Sequence, residues 1–198
     1  VLLDGKSIHK QANRSVAQRL AILPQSPNAP EGLTVRDLVT RGRTPYQSAL
    51  RQWSQQDAEA VGRALDLTGM TSHADRPLEA LSGGQRQRAW IAMALAQDTE
   101  ILLLDEPTTY LDLPHQIELL SLIQSLNQQS NQTVAIVLHD INLAARFADH
   151  IIALRAGAIF TTGSPAEVVT RENMEQVFDL KCQIISDPVH GTPHVIPE

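Results

Sequence analysis

The spacing of hydrophobic positions changes several times along the chain, and each change marks an element. Ile101-Leu102-Leu103-Leu104 and Thr133-Val134-Ala135-Ile136-Val137-Leu138 are short, nearly unbroken apolar runs, the pattern of strands in a parallel sheet covered on both faces. The stretch from Val1 to about Leu23 also reads as strand-rich, with Asp4-Gly5 as a turn. Elsewhere the spacing is helical. Ala60, Val61, Ala64 and Leu65 fall on one face of a helix over 57–68, and an alanine-rich helix without Gly or Pro runs over 85–97. Ile117, Leu119, Leu120, Leu122, Ile123 and Leu126 predict a helix over 114–128, with Pro114 in its tolerant first turn. Thr34 is placed to cap a helix through Thr40, and Asp140 one over 141–147. A strand over 150–154 should turn at Ala156-Gly157 into Ile159-Phe160, and short helices should follow over 165–169 and 172–180. Pro188, Pro193 and Pro197 predict an irregular tail. Alternating strands and helices imply an α/β fold with a mostly parallel sheet, interrupted by a mainly helical insertion that starts near Gln25.

Two pieces of this pattern carry chemistry. Asp105 and Glu106 stand at the carboxyl end of the 101–104 strand, where α/β sheets bind ligands. An apolar strand ending in Asp is the Walker-B pattern, whose carboxylate holds Mg²⁺ on nucleotide phosphates. A second acid beside it can orient and deprotonate an attacking water. Pro107 ends the strand because it has no ladder donor. Upstream, Ser82 can cap a helix opening at Gly83-Gly84. Those glycines let the backbone approach a phosphate, and the helix N-terminus favours an anion.

The five-residue string Leu81-Ser82-Gly83-Gly84-Gln85 resembles the signature motif of ATP-binding-cassette (ABC) ATPases. Four more resemblances follow in that family's order. Gln25, after Ile22-Leu23-Pro24, is similar to the Q-loop glutamine that reaches the metal and the lytic water. Asp105 and Glu106 match the Walker-B metal ligand and general base. Tyr110-Leu111-Asp112 resembles the D-loop, and His139 the switch histidine that contacts the γ-phosphate. The resemblance implies a P-loop-NTPase-like fold of ABC type. Residues 1–24 and 100–198 would form the RecA-like core portion, and 25–99 the Q-loop and helical subdomain with its signature helix. It also implies ATP and Mg²⁺ as ligands, Mg²⁺ being held by Asp105 and Gln25. Two copies would close head to tail, with Ser82, Gly83, Gly84 and Gln85 of one copy completing the ATP site whose Glu106, His139 and Gln25 lie in the other.

The P-loop motif G-x-x-x-x-G-K-S/T does not occur in these residues. Val1-Leu2-Leu3-Asp4-Gly5 resembles the hairpin that follows the P-loop helix in this family, so a domain truncated at its N-terminus is expected. Such a piece alone should bind ATP weakly and turn nothing over, because Gln25, Asp105 and Glu106 cannot replace a cluster of convergent phosphate donors.

Composition narrows the partners. With 198 residues and 42% hydrophobic positions the chain can bury one domain core, and a net charge of −6 argues against general nucleic-acid binding. The single cysteine, Cys182, excludes an internal disulfide framework. His190 and His194 have no supporting Cys or acids in register and read as part of the tail. Arg41-Gly42-Arg43, Pro45-Tyr46-Gln47, Trp53 and Asp57, with Pro107 to Asp112 and Asp187 to Pro193, resemble the ATP-binding subunits of ferric siderophore, haem and cobalamin importers. That implies an ATPase coupled to uptake, siderophore first and cobalamin or haem as alternatives. It would sit peripherally on the cytoplasmic face of the inner membrane, with an integral permease and, indirectly, a substrate-binding protein. Arg41 and Arg43 suit permease docking, although a solvated basic loop fits them equally. A non-transport ABC-type ATPase and a non-enzymatic interaction fragment are the rival classes.

Overall fold

The computed structural model describes residues 1–25, 27–48, 53–109, 111–130 and 132–198. The chain divides into two compact units, Val1–Val137 and Leu138–Glu198. In the first unit a short hairpin pairs β1 (Leu2–Leu3) with β2 (Lys6–Ser7). Its turn is Asp4-Gly5, both with positive φ, the hairpin chemistry the sequence predicts. A short helix α1 (Asn13–Ala17), which the hydrophobic pattern does not announce, leads into β3 (Leu20–Leu23).

Three strands form the parallel sheet of this unit, in the order β3, β4 (Ile101–Asp105), β5 (Thr133–Val137). Leu23 pairs with Leu104, and Leu104 with Ile136, so the carboxyl ends of all three strands lie together. Ala21, Leu23, Leu102 and Leu104 are each at most 1% exposed. They form the face that α4 (Gly83–Ala96) and α5 (Leu113–Ser130) approach, through contacts with β3 and β5. The other face departs from the expectation of two covered sides. Ile22 is 56% exposed and Val137 49% exposed, and with Leu103, Ala135 and Asp105 they line a shallow cleft of about 310 Å³. The apolar runs therefore declare what the strands can bury, while in this chain only one side is covered.

Between β3 and β4 the chain is helical. Thr34 and Asp37 form a reciprocal cap on α2 (Val35–Arg41), and Ser54 and Asp57 do the same on α3 (Gln55–Leu67). Such caps satisfy two orphan amides at each helix start. Both helices pack on α4, burying Val35, Leu38, Val39, Ala60, Val61, Ala64 and Leu65.

The second unit begins with α6 (Ile141–Phe147), capped by Asp140, which accepts from the Asn142 and Leu143 amides. An antiparallel pair, β6 (Ile151–Arg155) and β7 (Ala158–Gly163), is followed by α7 (Pro165–Val168) and α8 (Arg171–Phe178). The tail corrects the expectation of irregularity: β8 (Cys182–Ser186) and β9 (Pro193–Pro197) form an antiparallel hairpin. Its prolines are tolerated because Pro193 and Pro197 occupy the two ends of a strand in a two-stranded sheet. The Asn142 side chain secures it, accepting from the Val195 amide at 2.7 Å. Cys182 is fully buried among Met174, Val177, Val168 and Val195, a core residue of this unit. Among the described residues, no helix is long and apolar enough to cross a membrane.

The asymmetry of the sheet predicts unequal mutational costs in this chain. Leu102→Ala should lower unfolding stability by about 2–5 kcal/mol. Ile22→Thr, one strand away on the open face, should stay within about 1 kcal/mol. Urea unfolding of the two variants measures the difference, and equal losses would contradict the one-sided core.

Candidate functional site

The register of the parallel sheet builds the centre of the site. Gln25 lies two residues past Leu23, and Glu106 two residues past its partner Leu104. Equal offsets from a paired position carry both side chains to the same end of the sheet. The Gln25 carboxamide donates through Nε2 to Glu106 Oε2 at 2.6 Å, across 81 residues of sequence. Thr109 Oγ1 donates to the same oxygen at 3.1 Å, and the Thr109 amide donates to the Glu106 carbonyl. Sequence reasoning gave Thr109 no role. Its only signal was a hydroxyl three residues beyond an acid, the spacing of a local turn bond.

Glu106 itself sits at φ +47°, the left-handed region that costs a non-glycine residue about 1–2 kcal/mol. Its neighbour Pro107 is buried, and a turn follows β4 directly, closed by the bond from the Thr109 amide to the Glu106 carbonyl. Strain of this kind concentrates where a side chain must be aimed. Asp105, the last residue of β4, is exposed beside Val137 of β5. Because a carboxylate only accepts, Nε2 is the atom of Gln25 that must face Glu106. That leaves the carboxamide oxygen of Gln25 and the Asp105 carboxylate as hard oxygen donors at one sheet end. Among the described residues no group of three or more His, Cys, Asp or Glu side chains gathers as a metal cluster. A pair of oxygens instead suits Mg²⁺, which is commonly bound by one or two protein oxygens with substrate phosphates and water completing its shell.

The second part of the site is the start of α4. Ser82 caps the helix: its Oγ accepts from the Gln85 amide, and Gln85 Oε1 accepts from the Ser82 amide at 3.1 Å. Ser82 and Gly83 are exposed, and Gly84 is half-buried. Among the described residues no protein group accepts the Gly83 or Gly84 amide. Gly83 has no internal reason to be glycine: its φ is not positive, and an added Cβ would meet nothing within 4 Å. A Cβ on Gly84 would touch Leu111 and His115 at 3.6 Å, so this helix start abuts the segment following the 101–109 strand and turn within the same chain. Asp112 there precedes α5 and bonds the His115 ring. That hydrogen bond holds the Asp112 carboxyl below its usual range. Tyr110 of the same motif lies outside the described residues. Gln85 belongs to the cap, with both faces of its carboxamide engaged inside the chain.

His139 follows β5, two residues past Val137, the register partner of Asp105, and belongs to the second unit. His190 and His194 lie in the turn and strand of the tail hairpin, His194 opposite Ile185.

Arg43 requires a correction. Its side chain is 6% exposed and cannot present charge to a docking partner. Gly42 is the reason: a Cβ there would lie 2.2 Å from the Met93 carbonyl oxygen, so the bare glycine lets this turn press against α4. Arg43 then points inward, with Nε on Asp57 Oδ1 at 2.9 Å, Nη1 on the Ala96 carbonyl at 2.8 Å, and its guanidinium 3.9 Å from the Tyr46 ring centre. It joins the cap of α3 to the last turn of α4. Arg41, by contrast, is exposed at the end of α2.

Burial pushes the Asp57 carboxyl upward, but bonds from Ser54 and Arg43 outweigh it and hold the group below its ordinary value. A carboxyl depressed in the folded state adds stability above its unfolded pKa, about 3.9, and loses it as pH falls through the folded value. Arg43→Met should cost about 3–5 kcal/mol at neutral pH by stranding the Asp57 charge. The penalty should shrink on acidification below about pH 4. Pairing it with Asp57→Leu should recover most of the loss beyond a cap's worth of about 1 kcal/mol. A double-mutant cycle in urea measures this, and additive losses would contradict the coupling.

The profile of the ABC transporter family matches residues 1–109. The chain is 55% identical over 197 residues to the achromobactin transport ATP-binding protein CbrD of Dickeya dadantii, covering 100% of this chain and 73% of that protein. It is 52% identical over 197 residues to the ferric enterobactin transport ATP-binding protein FepC of Escherichia coli, again covering 73% of the relative. Among solved structures, an inward-facing transporter described as being of metal-chelate ABC type superposes with a TM-score of 0.82 at 31% identity, covering 91% of this chain and 73% of that one. The dimeric cassette MJ0796 superposes with a TM-score of 0.68 at 27% identity, covering 82% of this chain and 71% of that one.

Proposed function

The chain belongs to the ABC transporter ATP-binding family, and from that membership we propose that it is the ATP-hydrolysing subunit of an importer for iron–siderophore complexes. The observation that carries the reading is the 2.6 Å bond between Gln25 and Glu106. It joins the two residues whose expected roles, orienting the metal and water and taking a proton, require them to act on one phosphate. The 52–55% identity to subunits named for achromobactin and ferric enterobactin transport supports the substrate class. A dimer is supported by the paired cassettes of MJ0796.

In this reading each residue has a defined task. Glu106 is the general base: with Oε2 fixed by Gln25 and Thr109, its carboxylate takes the proton of the water that attacks the terminal phosphate. Asp105 and the Gln25 carboxamide oxygen would hold Mg²⁺, which when bound neutralises charge on the phosphate oxygens. His139 contacts the terminal phosphate. Gly83 and Gly84 offer backbone amides, and Ser82 its hydroxyl proton, at a helix N-terminus to the ATP held by a second copy. Asp112 lies beside that same helix start and crosses to the partner copy. Arg41 contributes positive charge to the face that receives the permease. The protein acts at the cytoplasmic face of the membrane through that permease.

Two substitutions in the intact protein test the assignment. Glu106→Gln should lower ATP hydrolysis by about 10²–10⁴-fold while ATP binding persists, so an unchanged rate would remove Glu106 as the base. Gly83→Ala has room for its methyl group and should keep or slightly raise thermal stability, since Ala exceeds Gly in helices by up to about 1 kcal/mol. It should nevertheless raise the KM for ATP, because that methyl group lies where a phosphate would approach the amide. Unaltered kinetics would sink the signature role.

A further inference from the structure

A histidine outside every motif described above touches the cap of α4. His73 ends the single-turn helix Thr71–His73, and its Nε2 lies 3.1 Å from Gln85 Nε2, while its Nδ1 lies 2.9 Å from Ser72 Oγ. The direction of these bonds follows from the neighbours. Gln85 Oε1 is already committed to the Ser82 amide, so the atom that Gln85 turns towards His73 is its NH₂ group, a donor. The imidazole nitrogen facing it must therefore accept. A neutral imidazole with an accepting Nε2 carries its proton on Nδ1 and donates it to Ser72 Oγ.

The platform beneath the ring is firm. Met70 and Ala74 are at most 2% exposed. The His73 amide donates to the Met70 carbonyl at 2.9 Å, the Arg36 amide at the start of α2 to the Ala74 carbonyl at 2.8 Å, and the Val35 amide to the Arg76 carbonyl at 3.0 Å. A relay thus runs from a turn anchored by the buried Met70 and Ala74 through His73 and Gln85 to the residue that caps the glycine opening of α4.

We propose that His73 is a positioning residue for the nucleotide-facing turn: its neutral Nδ1–H imidazole, accepting from Gln85, locks the Ser82–Gln85 cap and with it the direction of the Gly83 and Gly84 amides. The proposal rests on the reading of Ser82 to Gln85 as a phosphate-contacting segment. Gln85 then acts through the cap, its carboxamide being occupied on both sides. An amide held in place binds an anion without being ordered first, so loss of the relay acts on ATP affinity before it acts on chemistry.

The test separates the relay from the ATP reading. Nitrogen-15 spectra of the labelled chain should place the His73 ring proton on Nδ1, and the opposite tautomer overturns the proposal. In His73→Leu, hydrogen exchange of the Ser82 amide should quicken by tenfold or more. His73→Gln, which restores an acceptor at the Nε2 position, should return it to within about twofold of the parent. Unchanged exchange in the leucine variant overturns the proposal whatever the enzyme does. In the intact protein, His73→Leu should raise the KM for ATP several-fold with kcat nearly constant, and His73→Gln should rescue it. If exchange quickens and Gly83→Ala raises KM but His73→Leu does not, the relay holds the cap without positioning the ligand, and the proposal fails. If neither variant alters KM while exchange quickens, it is the phosphate-contacting role of this segment that fails.

Discussion

Parallel pairing of β3 with β4 is the constraint on which the site depends. Leu23 opposite Leu104 fixes where each strand ends, and Gln25 and Glu106 inherit that alignment. A slip of one residue would turn Leu23 and Ala21 out of the covered face and break the Gln25–Glu106 bond at the same time. Burial on one side of the sheet and chemistry at its end are thus a single requirement. The hydrophobic energy of four nearly inaccessible side chains stabilises a polar contact that an exposed pair could not hold alone.

The helical part of the first unit is organised by a different interaction. Arg43 is surrounded by a carboxylate, a carbonyl and an aromatic ring, so its charge is matched on every side where it is removed from water. This buried cluster spans the cap of α3 and the last turn of α4, while the relay through Gln85 addresses the opposite end of α4. The helix that opens at Gly83 is consequently held at both ends by polar contacts, and its flanks are packed against α2 and α3. A helix that must present its first turn to a ligand needs such fixing, because a Gly-Gly opening contributes little order of its own.

Much of this could be read from the residues alone. Helix starts were legible at Thr34, Ser82 and Asp140, since a capping side chain and the helix after it are adjacent in sequence. The strand at 101–105 and its two acids were legible for the same reason. What escaped was set by distant contacts. Arg43 looked like a surface charge because the Met93 carbonyl, which Gly42 can approach only for lack of a side chain, lies about fifty positions away. The tail hairpin was hidden by its prolines, whose harmlessness depends on which strand edge they occupy. His73 carried no signal at all: one histidine in a polar turn gains meaning only when the orientation of Gln85 is known. Membership of the ABC family was legible because its motifs are short and contiguous, whereas the open side of the sheet is a property of what does not cover it.

The left-handed backbone at Glu106 sets selection for robustness against selection for work. Glycine occupies that conformation without steric penalty, so removing the carboxylate there would relieve strain even as it deleted the proposed base. A library sorted for heat resistance alone would drift towards inert molecules at this position. The carboxylate would persist in such a library only if turnover were demanded of every survivor.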